Sequence, residues 1–171
     1  MIARPAGETS CRLAISAKGG TNAENHNHND VGSYAVALGS ETMVGDQGGP
    51  NSYPGDYFNG DAPQKYKIKG SFGHPVPVVD GRTQSSGGKA KGVVLQKEFT
   101  NEKDVFSIDY TSAYSTPNLD KLIRTSFTTA RVKATLQLAM IYSENTDPIR
   151  NSHNDTSRLE NPGRYTSSAG Y

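Results

Sequence analysis

Short runs of alternating apolar and polar residues, each closed by Gly, Pro, Asn or Asp, dominate the chain and predict β-strands rather than helices. Residues 11–16 alternate loosely and stop at Lys18-Gly19-Gly20. Tyr34 to Leu38 alternates cleanly up to Gly39, and 42–46 reads as its hairpin partner, stopped by Gly48-Gly49-Pro50. A second hairpin spans 91–99 and 105–110, and 122–128 adds another strand. Residues 66–69 read as a short strand. The two prolines of His74-Pro-Val-Pro-Val78 restrict that segment to a sheet edge or the lining of an opening. Asp80-Gly81 is a turn signal, and 51–64 is a long loop of Pro, Gly, Asn, Asp and Tyr.

The end of the chain follows a different pattern. Residues 132–142 are apolar at every second position, but their Ala, Leu, Gln and Met content suits a helix equally well. From 143 onward almost no apolar residue remains, and such a stretch buries too little surface to offset its ordering entropy. The expected organisation is an all-β, antiparallel β-sandwich over 1–128, an ambiguous strand or helix over 129–142, and a disordered polar tail over 143–171.

Composition narrows the function classes. Among 171 residues there are 18 Gly, 9 Pro and only 33% hydrophobic positions, with no run long enough for a membrane span. Eighteen basic against 17 acidic residues leave a net charge of +1, without the basic footprint of a nucleic-acid binder. The alternating Lys65, Lys67 and Lys69 read first as a solvated strand face, and second as a rim for an acidic sugar. The single cysteine, Cys11, excludes an intrachain disulfide and reads as a small buried apolar residue. Met1-Ile-Ala-Arg-Pro carries no apolar leader, so no signal peptide is expected here.

The chemistry-bearing residues gather around the histidines. If residues 25–30 run extended, His26 and His28 project to one face about 6.5–7 Å apart. That pattern offers two imidazoles to one site, and it equally fits two surface histidines in a polar loop. Asp46 ends an otherwise apolar strand, where a carboxylate has no packing value, and His74 follows Gly73. Two imidazoles and a carboxylate are the donor set of a zinc shell with one open position. Asp30 either caps a turn or braces the histidine pair. Tyr53 and Tyr57, in the long loop, read as local packing or as sugar-stacking and proton-transfer groups. Arg124, inside the strand at 122–128, reads as half of a cross-strand salt bridge or as a partner for a substrate carboxylate. No P-loop, dinucleotide fingerprint, Gly-x-Ser-x-Gly elbow or Cys-x-x-Cys pair occurs.

The run from Lys18 to Tyr34, with its His26-Asn-His28-Asn-Asp30 centre, resembles the signature of the heparinase II/III-like polysaccharide lyase family, C-terminal β-sandwich domain. Val44-Gly-Asp46-Gln-Gly and Gly73-His74-Pro-Val-Pro-Val-Val-Asp80-Gly81 follow in the same order, and the resemblance covers about 1–128. It implies a catalytic role for His26 and metal binding, as Zn2+, by His28, Asp46 and His74. It also implies cleavage of an acidic, uronate-containing polysaccharide by β-elimination, in a periplasmic or secreted setting. The family's catalytic tyrosine and carboxylate-neutralising group lie in a helical toroid that precedes the sandwich, and these 171 residues contain no counterpart of it.

Past about Thr129 the family's strands are not recognisable, as in a truncated or frame-disrupted reading of a longer gene. The expectation is therefore part of a lyase, weak or inactive by itself. The competing expectation is a non-catalytic, metal-stabilised glycan-binding module or gene remnant. A cupin-like metal oxygenase also pairs a His-x-His with a β-sandwich, but the contexts of Asp46 and His74 fit the lyase domain better.

Overall fold

The computed structural model describes residues 1–3, 12–129, 135–144 and 164–169. Within them ten strands pair antiparallel throughout. A four-stranded sheet has the order β1 (Ile2–Ala3), β2 (Leu13–Ala17), β4 (Tyr34–Leu38), β5 (Glu41–Val44). A six-stranded sheet runs β10 (Arg164–Ala169), β9 (Thr135–Glu144), β8 (Leu119–Thr129), β7 (Lys103–Asp109), β6 (Gly87–Phe99), β3 (Gly20–Asn22). The chain is all-β and sandwich-like, as the alternation of its apolar positions predicts. No helix among the described residues is long and apolar enough to cross a membrane.

The larger core lies where the two sheets meet. Phe106 and Ile108 of β7, Leu122 of β8 and Ala90 of β6 bury together with Ala17 of β2 and the rings of Tyr110 and Tyr114. A smaller cluster of Ala3, Ile15 and Val36 holds the four-stranded sheet. Tyr34 packs against both. Tight turns join the strands where the sequence supplies residues for them. Asp80 and Gly81 take φ of 50° and 69°, and Val79 and Arg82 exchange backbone hydrogen bonds of 3.0 and 2.8 Å across them. Gly32 is required by its neighbour: φ is +84°, and a Cβ there would sit 3.0 Å from the Tyr110 ring.

Three local expectations are corrected. Residues 66–69 are not a strand: Lys67–Lys69 form a 3-10 turn after the short helix α1 (Ala62–Lys65). Lys69 is accordingly not on a solvated face with Lys65 and Lys67 but is only 2% exposed. Of the two readings of 74–78, the edge strand is not formed, and the nearest pairing is the bridge between Val79 and Arg82 just beyond it. The long loop at 51–64 contains the start of α1, with Pro63 in its first turn, where a missing N–H costs nothing.

The ambiguity at 132–142 resolves to strand over Thr135–Glu144, which pairs with β8 from Leu119↔Glu144 to Thr129↔Thr135. A neighbour supplying a ladder of backbone partners decides what helix propensity alone left open. Most of the tail read as disordered lies outside the described residues, as does Cys11. Inside it, β10 pairs with β9 from Arg164↔Ile141 to Ala169↔Leu136.

Candidate functional site

The segment from β3 to β4 is held mainly by polar side chains. Asn22 donates to Gln84 Oε1 at 2.9 Å and to the Ser85 carbonyl at 2.8 Å. Its own Oδ1 accepts from the amides of Asp30 and Val31 at 3.3 and 3.4 Å. Gln84 Nε2 donates to the Val31 carbonyl at 2.7 Å, and Asn29 Nδ2 to the Gln84 carbonyl at 3.1 Å. Asn22, Asn29 and Gln84 are all buried. Two asparagines and one glutamine thus pin both ends of the histidine segment from inside the protein, where every unmade bond is costly.

Between the pinned ends the backbone turns rather than extends. His26 has φ of 57°, the left-handed region that non-glycine residues seldom occupy. The expectation of an extended His-x-His with both imidazoles on one face is therefore corrected. The turn sends the two rings to different neighbours: His26 packs on Phe58 with centroids 4.6 Å apart, and His28 faces His74. The residue between them, Asn27, has both amide atoms buried and without a hydrogen-bond partner among the described residues.

His28 Nδ1 and His74 Nε2 lie 2.9 Å apart, so one ring donates to the other. The His74 side chain is 3% exposed, and its Nδ1 lies 2.8 Å from Oδ1 of the half-exposed Asp46. That contact is off the direction of the ring N–H, so Nδ1 has no aligned hydrogen bond. Asp30 Oδ2 stands 4.0 Å from the same nitrogen, too far for a hydrogen bond, while its other oxygen pairs with Lys18. Burial, then the adjacent His74, lowers the His28 pKa from its usual value against the opposing pull of Asp30. His28 is consequently biased toward the neutral imidazole.

These contacts test the expected zinc shell. The structure brings His28, Asp46 and His74 together, but in a row, Asp46–His74–His28, with the carboxylate and the second imidazole on opposite nitrogens of one ring. Among the described residues no three His, Cys, Asp or Glu side chains are arranged to hold a metal ion. The donor set suits zinc, but its arrangement does not fit a three-ligand shell around one centre.

The loop at 51–64 supplies an aromatic cluster beside His26. Tyr53 lies 5.0 Å from Tyr57 and 5.3 Å from Phe58, and Tyr57 lies 5.2 Å from both Phe58 and Tyr66, centroid to centroid. The two tyrosines singled out from sequence differ: Tyr57 is 2% exposed and serves packing, whereas Tyr53 is 58% exposed. Burial accordingly raises the Tyr57 pKa, which keeps its phenol protonated. Lys69 locks the cluster from below. Its Nζ donates to the Tyr57 carbonyl at 2.6 Å and lies 4.7 Å from the Tyr57 ring centre and 5.3 Å from that of Phe58. Burial lowers the Lys69 pKa.

Arg124 forms no cross-strand salt bridge among the described residues. Its Nη1 donates to the carbonyls of Gly32 and of Pro75, the latter at 2.9 Å. The guanidinium stacks between Tyr34 at 4.8 Å and Tyr110 at 5.6 Å. It ties the end of the histidine segment to the residues after His74. Phe58 and Gln84 were missed in the sequence, and the burial of Lys69 with them, since nothing local distinguishes a ring, a lysine or an amide that becomes important through distant partners. Only the clustering of aromatics at 53–58 pointed toward Phe58. No family model matches the chain, and no curated protein matches it.

Proposed function

We propose that this chain is the β-sandwich part of a heparinase II/III-like polysaccharide lyase, acting on uronate-containing glycans by β-elimination. The observation that carries this reading is the exposed His26, held in a left-handed turn by the buried Asn22–Gln84 network and flanked by exposed aromatic rings. Strain of that kind, enforced by surrounding structure on an exposed titratable side chain, is typical of sites where a group must be presented in one orientation. The signature residues His26 to Asp30 and His74 supply the family assignment.

In β-elimination a base removes the C5 proton of the uronate, its carboxylate is neutralised, and an acid protonates the departing C4 oxygen. His26 is the base or the proton carrier in this reading, because its imidazole is exposed and offers a nitrogen that can take or give a proton at the sugar. The Asp46–His74–His28 row acts behind it, bracing the segment, and no step runs through a metal. The tyrosine acid and the carboxylate-neutralising group belong to a helical domain outside these 171 residues. The chain alone therefore supplies half of a cleft.

A second reading, a glycan-binding β module without catalysis, is favoured by one observation: the exposed Phe58 and Tyr53 rings stand together on the surface beside His26. Ultraviolet absorbance of the new C4–C5 double bond separates the two. The lyase reading expects little absorbance from this chain on alginate or heparin, and robust absorbance when the chain is joined to a family helical domain. In that fusion, His26→Ala should lower the rate by at least about 100-fold. A fusion that stays inactive while retaining bound polysaccharide would sink the lyase reading and leave the binding module.

A further inference from the structure

Two large apolar rings stand in solvent beside His26: Phe58 is 49% exposed and Tyr53 58% exposed, with centroids 5.3 Å apart. Scattered single apolar side chains on a surface need no explanation, but a contiguous aromatic patch does. Here the patch is also immobilised. Tyr57 wedges beneath both rings, the Lys69 amine clamps the Tyr57 carbonyl, and the Asp56 carboxylate takes the Tyr66 hydroxyl and Lys65. A buried lysine and a carboxylate are thus used to hold a turn whose outward product is two exposed rings. Hydrophobic collapse alone would have turned Phe58 inward and left Tyr57, with its hydroxyl, outside.

We propose that Phe58, with Tyr53 at its edge, is a pyranose-stacking subsite that seats one sugar ring beside His26. The inference deepens the proposed glycan reading and rests on it for the identity of the sugar. The C–H bonds on one face of a pyranose are apolar and carry partial positive charge, which matches the negative face of an aromatic ring. The hydroxyls stay at the rim in water. His26 packs on Phe58 at 4.6 Å, so a ring lying on Phe58 is within the imidazole's neighbourhood. Tyr57, singled out with Tyr53 from the sequence, is the support under the subsite rather than its surface.

The chain contains no tryptophan, so Phe58→Trp installs a unique fluorophore that preserves the stacking face. Affinity electrophoresis of the 171-residue chain through gels holding alginate, heparin, hyaluronan or neutral hydroxyethyl cellulose is the primary measurement. The expected result is retardation in at least one uronate gel, weakened about tenfold by Phe58→Ala and restored by Phe58→Trp. The new indole should change its emission saturably with the same polymer. Circular dichroism and melting of Phe58→Ala should match the parent, since the ring is half outside the protein.

Equal retardation of the parent and Phe58→Ala would overturn the subsite while leaving the glycan reading in place. Phe58-dependent retardation in hydroxyethyl cellulose alone would support the subsite and overturn the uronate assignment. No retardation in any gel would overturn both.

Discussion

The six-stranded sheet and the histidine segment are held together by different physics. Phe106, Ile108 and Leu122 stabilise β7 and β8 by burying apolar area, a force without direction that tolerates volume-conserving substitution. Asn22, Asn29 and Gln84 hold residues 22–31 through directed hydrogen bonds, each with a named partner. A sheet can shift a few tenths of an ångström and keep its burial. A buried amide that shifts loses its bond outright, and pays the desolvation cost of an unpaired group. The stiffer device lies around the left-handed turn at His26.

Replacement of Gln84 tests that contrast most severely. Gln84→Ala strands one N–H of the Asn22 amide and the Val31 carbonyl in the interior, and should cost about 3 kcal/mol of unfolding free energy in denaturant titrations. Ile108→Val, in the sheet, should cost about 1 kcal/mol. If the two losses were equal, directed bonding would not distinguish the regions.

Gly32 links them, because its close approach to Tyr110 seats the segment on the sheet. Gly32→Ala introduces a Cβ 3.0 Å from that ring at a left-handed φ, and should cost about 2 kcal/mol. An unchanged denaturation midpoint would mean that segment and sheet move apart freely.

A smaller effect follows from pH. The pKa of His28 is lowered in the folded protein, so the unfolded chain takes up this proton first as pH falls. The His28 contribution is complete above the unfolded value, about 6.5. It is lost as pH falls through the lower folded value. The denaturation midpoint should therefore drop between pH 7 and pH 5, and His28→Gln should shrink that drop. A parent profile flat over this range would contradict the burial assigned to the ring.

The least expected change is with zinc. The row Asp46–His74–His28 presents no common centre, so the purified chain should retain well under one zinc per molecule after dialysis, by elemental analysis. One zinc per chain, lost in His28→Ala, would show that the His74 ring turns to bring Asp46 and His28 onto the same side.

Much of the sheet structure was legible because it depends on local pattern. Alternation marked Tyr34–Leu38, most of β6 through β8, and the Asp80-Gly81 turn to within a few residues. The site was legible as a set of residues but not as a geometry. His28, Asp46 and His74 do meet, yet the spacing of His26 and His28 suggested a shared face that the left-handed turn at His26 removes. Lys69 reads as solvated by its alternation with Lys65 and Lys67, and is buried because Tyr57 and Phe58 fold over it.

Periodicity and turn chemistry are properties of neighbours along the chain, so the sequence by itself determined the antiparallel β character and the order of most strands. Tertiary structure decided whether 135–144 became strand, since β8 on one side and β10 on the other offer it a ladder. It decided likewise which of Tyr57 and Phe58 faces water, and on which nitrogen of His74 the Asp46 carboxylate falls. Those outcomes depend on partners distant in sequence, such as Asn22 and Gln84, whose interactions exist only once the chain has closed on itself.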